Sequence, residues 1–206
     1  MLKVLITGFE PFGEYTENSS WAVAEKVAAC VVEGVEIAVE LLPVSYSRVG
    51  DALHRAVNLH CPDLIVMLGQ SGITDRIKLE RVALNLMDSA KGDNDGYKPD
   101  EEPIFKGEEN ALFTSLPIKN LRKSIEMQGI PAIVSNSCGL YVCNRLYYEA
   151  LRMCQNQTIE AIFVHLPLFN GQIQPLNSNK PSMLLDDMSM AIQTIISHIN
   201  DTNRKI

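Results

Sequence analysis

The chain opens on the apolar run Leu2-Lys3-Val4-Leu5-Ile6-Thr7. This breaks at Gly8-Phe9-Glu10-Pro11-Phe12-Gly13 and is followed, after Asn18-Ser19-Ser20, by an Ala/Val-rich stretch over 21–30. Six apolar-rich residues ended by glycine and proline have the length and boundary of a buried strand. Asn-Ser-Ser offers an N-cap, and the spacing beyond it is helical. A strand, a rim loop and a helix make half of a βαβ unit, and the pattern recurs. Residues 35–42 and 63–68 read as strands on either side of a helix over 45–58, in which Val49, Leu53 and Val57 form one stripe. Residues 116–128, 140–154 and 182–200 read as helices, with strands over 132–135 and 161–165. The last helix carries the clearest apolar face: Leu184, Met188, Ala191, Ile192, Ile195 and Ile199. Between Gly69 and Asn110 the rhythm fails. Residues 77–88 look extended, and 90–110 are polar and turn-rich around Asp93-Asn94-Asp95-Gly96.

The reading is an α/β fold: one domain over residues 1–206, a three-layer α/β/α sandwich. It has a mostly parallel twisted sheet and a hairpin-like excursion above the sheet edge. A chain of 206 residues with 46% apolar and 21% charged residues can build such a core. The net charge of −7 argues against a nucleic-acid partner, and no apolar run approaches membrane-spanning length. Five scattered cysteines (Cys30, Cys61, Cys138, Cys143 and Cys154) without metal-type spacing suggest reduced thiols and a cytoplasmic location.

In parallel sheets, ligands bind beyond the carboxyl ends of the strands. That rule gathers Gly8–Gly13, Gly69-Gln70-Ser71-Gly72, Asn136–Gly139 and His165 on one rim. Cys143 follows in the first turns of a helix, where the macrodipole favours a thiolate. It equally shares a face with Leu140, Leu146, Tyr147 and Ala150, as a core cysteine would, and Cys138 is its rival. His165 ends an apolar strand, from which it can serve a neighbouring thiol as base or be satisfied by backbone. Glu80 heads a strand face with Val82 and Leu84; it fits a partner for the imidazole or a surface pair with Lys78 or Arg81. Phe9 and Phe12 lie in a Gly/Pro loop and suit a flat apolar ring, or fold under as a satellite cluster. No nucleotide-binding glycine loop, serine-hydrolase elbow or His-Glu-x-x-His motif is present.

Taken together, Thr7-Gly8-Phe9-Glu10-Pro11-Phe12-Gly13, Leu42-Pro43-Val44, Gly69-Gln70, Glu80-Arg81-Val82-Ala83 and Asp93-Asn94 resemble the pyroglutamyl peptidase I (pyrrolidone-carboxylate peptidase) family. So do Ser137-x-Gly139-x-Tyr141-Val142-Cys143-Asn144, Phe163-x-His165-x-Pro167 and Pro181-Ser182-Met183, in the same order. The resemblance implies a cysteine exopeptidase that removes N-terminal 5-oxoproline from peptides through a thioester. In that reading Cys143 is nucleophile, His165 base and Glu80 the third catalytic residue. Phe9, Phe12, Gln70 and Asp93 serve the substrate. No metal or organic cofactor is implied, and a homo-oligomer, a tetramer, is. The chain departs from the family pattern at Leu140, at Ala90-Lys91-Gly92 before Asp93, at Ser71-Gly72-Ile73 and at Cys138. The alternatives are a thiol amidase for another small amide, a pyroglutamyl-peptide binder without catalysis, and a purely structural α/β module.

Overall fold

The computed structural model describes residues 1–172 and 179–203. In chain order the elements are β1 (Leu2–Phe9), α1 (Ser19–Ala28), β2 (Val35–Leu42), α2 (Val49–His60), β3 (Leu64–Gln70), β4 (Ile77–Glu80), β5 (Val82–Leu84) and β6 (Ala111–Phe113). They continue with α3 (Ile118–Glu126), β7 (Ala132–Ser135), α4 (Val142–Cys154), β8 (Glu160–Leu166), β9 (Leu168–Phe169), β10 (Ser182–Met183) and α5 (Leu185–Asn203). A six-stranded sheet runs in the order β2-β1-β3-β8-β4-β7. Helices α1, α3 and α5 cover one face, and α2 and α4 the other. Every residue of β3 is buried, as a central strand covered on both faces requires.

Alternation along the central strands divides the molecule in two. Ile162, Val164 and Leu166 of β8 and Ile77 and Leu79 of β4 enter the core shared with α1, α3 and α5. Phe163 enters the opposite core, with Ile65, Met67, Leu53, Leu146 and Tyr147. His165 and Glu80 therefore face α2 and α4.

Strands β2, β1, β3 and β8 are mutually parallel, so the sheet is mostly parallel as expected. The strand over 132–135 does not continue that direction. β4 pairs antiparallel with β8, and β7 pairs parallel with β4. The link from β3 to β4 covers only residues 71–76, too short for the crossover a parallel return demands. The chain therefore doubles back, and β7 inherits the reversed direction through α3. The excursion has hairpin character, since β5 pairs antiparallel with β6 and Met87 bridges Glu102. Its first arm is nevertheless built into the main sheet as β4, between β8 and β7.

Helix α2 begins at Val49, where its apolar stripe begins, and not at residue 45 as expected. The Ser45 hydroxyl is bonded to Asp95 at 2.6 Å and the Tyr46 amide to Asp93 at 2.9 Å, so residues 45–46 are fastened to a neighbouring loop. After β8 the chain forms the short parallel β9 and a 3-10 turn over Asn170–Gln172. Residues 173–178 lie outside the described residues. Among the described residues, no helix is long and apolar enough to cross a membrane.

Candidate active site

A cavity of about 360 Å³ opens over the C-terminal part of β8. Its wall contains His165 and Glu80 from the sheet, Cys138 and Cys143 from around the start of α4, Gln70 from the end of β3, and Phe9 and Phe12 from the first loop. Residues separated by up to 156 positions in sequence (Phe9 and His165) thus share one cavity. Of the residues singled out from the sequence, only Asp93 is not part of its wall.

The centre of the cavity is an imidazole held between two groups. Nδ1 of His165 is 2.8 Å from Oε1 of Glu80. Glu80 is fully buried and His165 is 9% exposed. Their strands explain the contact: Glu80 pairs with Phe163 across β4 and β8, which puts it diagonally beside His165 on the same face. With Nδ1 committed to the carboxylate, Nε2 is the nitrogen left for chemistry. Burial alone would lower the His165 pKa, but the Cys143 thiol on one side and Glu80 on the other more than offset it, pushing it up to about 9. The ring is also packed on Phe163, with centroids 4.9 Å apart. That packing depends on Gly69: a Cβ there would come within 2.7 Å of the Phe163 ring and 3.1 Å of the imidazole.

Cys143 is half-buried and is the second residue of α4. Val142 and Cys143 are the first two helical residues, so their N–H groups have no acceptor within the helix and point toward its positive end. The chain enters the helix through Gly139 at φ +77, a conformation that glycine adopts without strain. Beside the thiol, the fully buried Asn144 fixes the helix start. Its amide donates to the Leu84 and Leu86 carbonyls, and its oxygen accepts the Leu84 N–H at 2.9 Å. Cys138 is buried, and its pKa is raised well above the ordinary thiol value, first by burial and then by the charges of Cys143 and Glu80. It is held as a neutral thiol.

The other end of the cavity is apolar with one polar handle. Phe9 is buried, while Phe12 is partly exposed and packs near Tyr141 at 6.4 Å between centroids. Gln70 is 7% exposed. Its Oε1 accepts the Ser19 amide at 2.8 Å and the Gln172 amide at 2.7 Å. Its buried Nε2 has no partner among the described residues. A buried amide donor without an acceptor, beside aromatic rings, fits a ligand that brings a carbonyl.

Asp93 works through the backbone. Its two oxygens accept the amides of Tyr46, Asp95 and Tyr97 at 2.9–3.0 Å. Next to it, Asn94 donates to Glu10 Oε1 and to the Pro11 carbonyl, and Glu10 also accepts the Val44 amide. These bonds tie the loops around 10, 45 and 93 into one rim. Tyr141 is drawn into the same rim, because its hydroxyl donates to the Gly92 carbonyl at 2.9 Å. Tyr46 donates to the Leu140 carbonyl at 3.1 Å and meets the Tyr141 ring edge-on at 5.5 Å. The roles of Glu10, Tyr46, Tyr141 and Asn144 were not read from the sequence. The one available signal was a polar Asn directly after Cys143. The departures at Leu140 and Lys91 fall on this rim, where each contributes its carbonyl: Leu140 to Tyr46, and Lys91 to the Ser89 hydroxyl.

A thiol at a helix start, an imidazole beside it and a buried carboxylate behind the imidazole are the parts needed for nucleophilic attack with proton return. Among the described residues, no group of three or more His, Cys, Asp or Glu side chains is arranged to hold a metal ion.

The family model described as pyroglutamyl peptidase matches residues 2–202. The chain is 40% identical over 200 residues to a pyrrolidone-carboxylate peptidase of Thermococcus kodakarensis, covering 96% of each. It superposes with a TM-score of 0.93 on the pyrrolidone carboxyl peptidase of Thermococcus litoralis, at 32% identity, over 100% of this chain and 96% of that one. For the pyrrolidone carboxyl peptidase of Fervidobacterium islandicum the TM-score is 0.92, at 33% identity, over 98% and 99% of the two chains.

Proposed function

The chain belongs to the pyroglutamyl peptidase family, and we propose that the cavity over β8 is where it carries out that chemistry, with Cys143, His165 and Glu80 as its catalytic residues. It is a cysteine exopeptidase that removes N-terminal pyroglutamate from peptides. The observation that carries the assignment is the Glu80–His165 contact at 2.8 Å, in a cavity whose wall also holds the half-buried Cys143.

The chemistry follows from the parts. The Cys143 thiol gives its proton to His165 Nε2, and its Sγ attacks the pyroglutamyl carbonyl carbon and forms a C–S bond. The developing oxyanion is met by the free N–H groups of Val142 and Cys143, each such donor being worth about 3–4 kcal/mol. His165, oriented through Nδ1 by Glu80, gives the proton on Nε2 to the leaving amine as the C–N bond breaks. Water then attacks the thioester, with His165 taking its proton; the C–S bond breaks, His165 returns the proton to Sγ, and 5-oxoproline leaves as the acid. The ring enters between Phe9 and Phe12. Its lactam carbonyl accepts from Gln70 Nε2, the buried donor left without a partner. Asp93 serves the substrate indirectly, by holding the rim against which the Phe12 side of the pocket rests.

The remaining features belong to the same proposal: one domain throughout, a cytoplasmic location and a homo-oligomer, a tetramer by kinship. Leu184, just before the last helix, and Met190, within its first two turns, are exposed and support a contact surface there. The direct test is Cys143→Ala assayed on a pyroglutamyl-aminocoumarin amide. Activity falls roughly ten-thousandfold, while the thermal melting curve stays in place. Retained turnover in that variant would remove Cys143 from the role.

A further inference from the structure

Lys78 belongs to the cavity wall and has no task in the chemistry above. It is the first inward-facing residue of β4, on the same face as Glu80, and it pairs directly with His165 across the antiparallel β4/β8 ladder. Its neighbours Ile77 and Leu79 point into the opposite core. Among the described residues, no carboxylate lies within ion-pair distance of its ammonium. Lysines beside a buried carboxylate commonly pair with it, but here Glu80 Oε1 is taken by His165 and Lys78 stands apart. Among the described residues, the other ionisable groups of the wall are Glu80, His165, Tyr141 and the two thiols. The chain carries a net charge of −7, so an ammonium in the cavity wall with no carboxylate partner among the described residues runs against the overall sign.

Sheet order says which end of a substrate meets this cation. The strands run β1-β3-β8-β4 across the cavity. The ring pocket is built by Phe9 and Gln70 at the ends of β1 and β3, and the proton donor His165 stands on β8. Lys78 comes next, on the far side of His165 from the ring pocket. Directly paired residues in an antiparallel ladder are about 5 Å apart, and a lysine side chain spans roughly another residue's length. A peptide with its ring in the pocket and its scissile bond at Cys143 therefore sends its next residue toward the Lys78 ammonium.

Resting on the assignment of the site above, we propose that Lys78 binds a carboxylate on the leaving-group side of the scissile bond, so that the enzyme prefers pyroglutamyl peptides whose second residue bears one. The carboxylate is either the free C-terminus of a dipeptide or an acidic side chain. Both present the same anion, one directly on Cα and the other at the end of a side chain, and an experiment separates them.

The test compares kcat/KM for pyroglutamyl-alanine, its C-terminal amide, and pyroglutamyl-glutamic acid amide, with the unaltered chain, Lys78→Met, Lys78→Glu and Lys78→Arg. In the unaltered chain at least one carboxylate-bearing substrate is favoured over pyroglutamyl-alanine amide. Lys78→Met lowers that ratio about fivefold, the size of a partly exposed ion pair, mostly through KM. Lys78→Glu lowers it further, Lys78→Arg restores much of it, and added salt erodes it. A preference carried by pyroglutamyl-alanine identifies the terminal carboxylate, and one carried by the glutamic acid amide identifies the side chain. Ratios unchanged by all three substitutions, or a preference for the neutral amide in the unaltered chain, overturn the proposal. Failure of the unaltered chain to cleave any of the three, the neutral amide included, overturns the reading of the site and this assignment with it.

Discussion

The two faces of the central sheet are made by the same strands and do different work. On the face of α1, α3 and α5, the core consists of aliphatic and methionine side chains, with Ile162, Val164, Leu79 and Ile192 fully buried. On the face of α2 and α4, the same strands present Phe163, His165, Lys78 and Glu80 beneath helices that bring tyrosines and thiols. One residue of register separates the two sets in β4 and in β8. The comparison teaches that stability and chemistry are divided here by strand parity rather than by domain. Substitutions one position apart should therefore fail in different ways.

The largest effect that sharpens this contrast is Glu80→Gln. The amide is nearly isosteric, so the fold should persist, while activity falls roughly a thousandfold as the imidazole loses the carboxylate that orients it. The pH profile gives a second readout. The His165 pKa is raised to about 9 partly by Glu80, so the imidazolium that protonates the leaving amine is lost as pH rises through that value. Activity of the unaltered chain should decline on an alkaline limb near pH 9, and Glu80→Gln should move that limb to lower pH. The sign for stability is the same. A histidine with a raised folded pKa stabilises fully below its unfolded value of about 6.5, and that contribution disappears as pH climbs through about 9. An alkaline limb that stays put in Glu80→Gln would break the link between the two residues.

Across the sheet, Ile192→Ala should do the reverse. Ile192 is fully buried on α5, and deleting its outer carbons should cost about 3 kcal/mol of stability through lost burial and the cavity left behind. Chemical denaturation reads this directly, while kcat on a pyroglutamyl amide below the melting range should stay near the unaltered value. A fall in kcat comparable to that of Glu80→Gln would mean that the two faces are not separable.

The legibility of the sequence follows the same division. Strand β2 and the helices with one apolar stripe were readable because burial on one face is a local, periodic constraint. The reversed direction of β4 and β7 was not, because it depends on the short 71–76 link lying next to a strand that arrives ninety residues later. Cys143, His165 and Glu80 were visible as residue types in suggestive places, and the resemblance selected them. Nothing local could show that Asp93 spends its carboxylate on three amides of its own rim, or that Asn144 clamps the helix start to Leu84. Those contacts join loops that are close only after the sheet has formed. Lys78 illustrates the same limit: as sequence it looks like a surface partner for Glu80, and only the ladder register sets it opposite His165.

The smallest effect concerns the two thiols, and it probes the chemical face by itself. Cys138 and Cys143 belong to the same cavity wall, five residues apart, yet their surroundings differ. Cys138 is 6% exposed, and burial together with the nearby charges of Cys143 and Glu80 disfavours its thiolate. Cys143 is half-buried at the start of α4 and lines the cavity. Iodoacetamide should therefore alkylate Cys143 before Cys138, as read by peptide mass mapping, and a pyroglutamyl ligand should slow that reaction. Cys138→Ala removes a small buried side chain and no charge, so it should cost about 1 kcal/mol of stability and change kcat/KM by no more than about twofold. If Cys138 is the thiol alkylated first, or if its replacement by alanine abolishes turnover, the nucleophile has been assigned to the wrong side of the loop that enters α4.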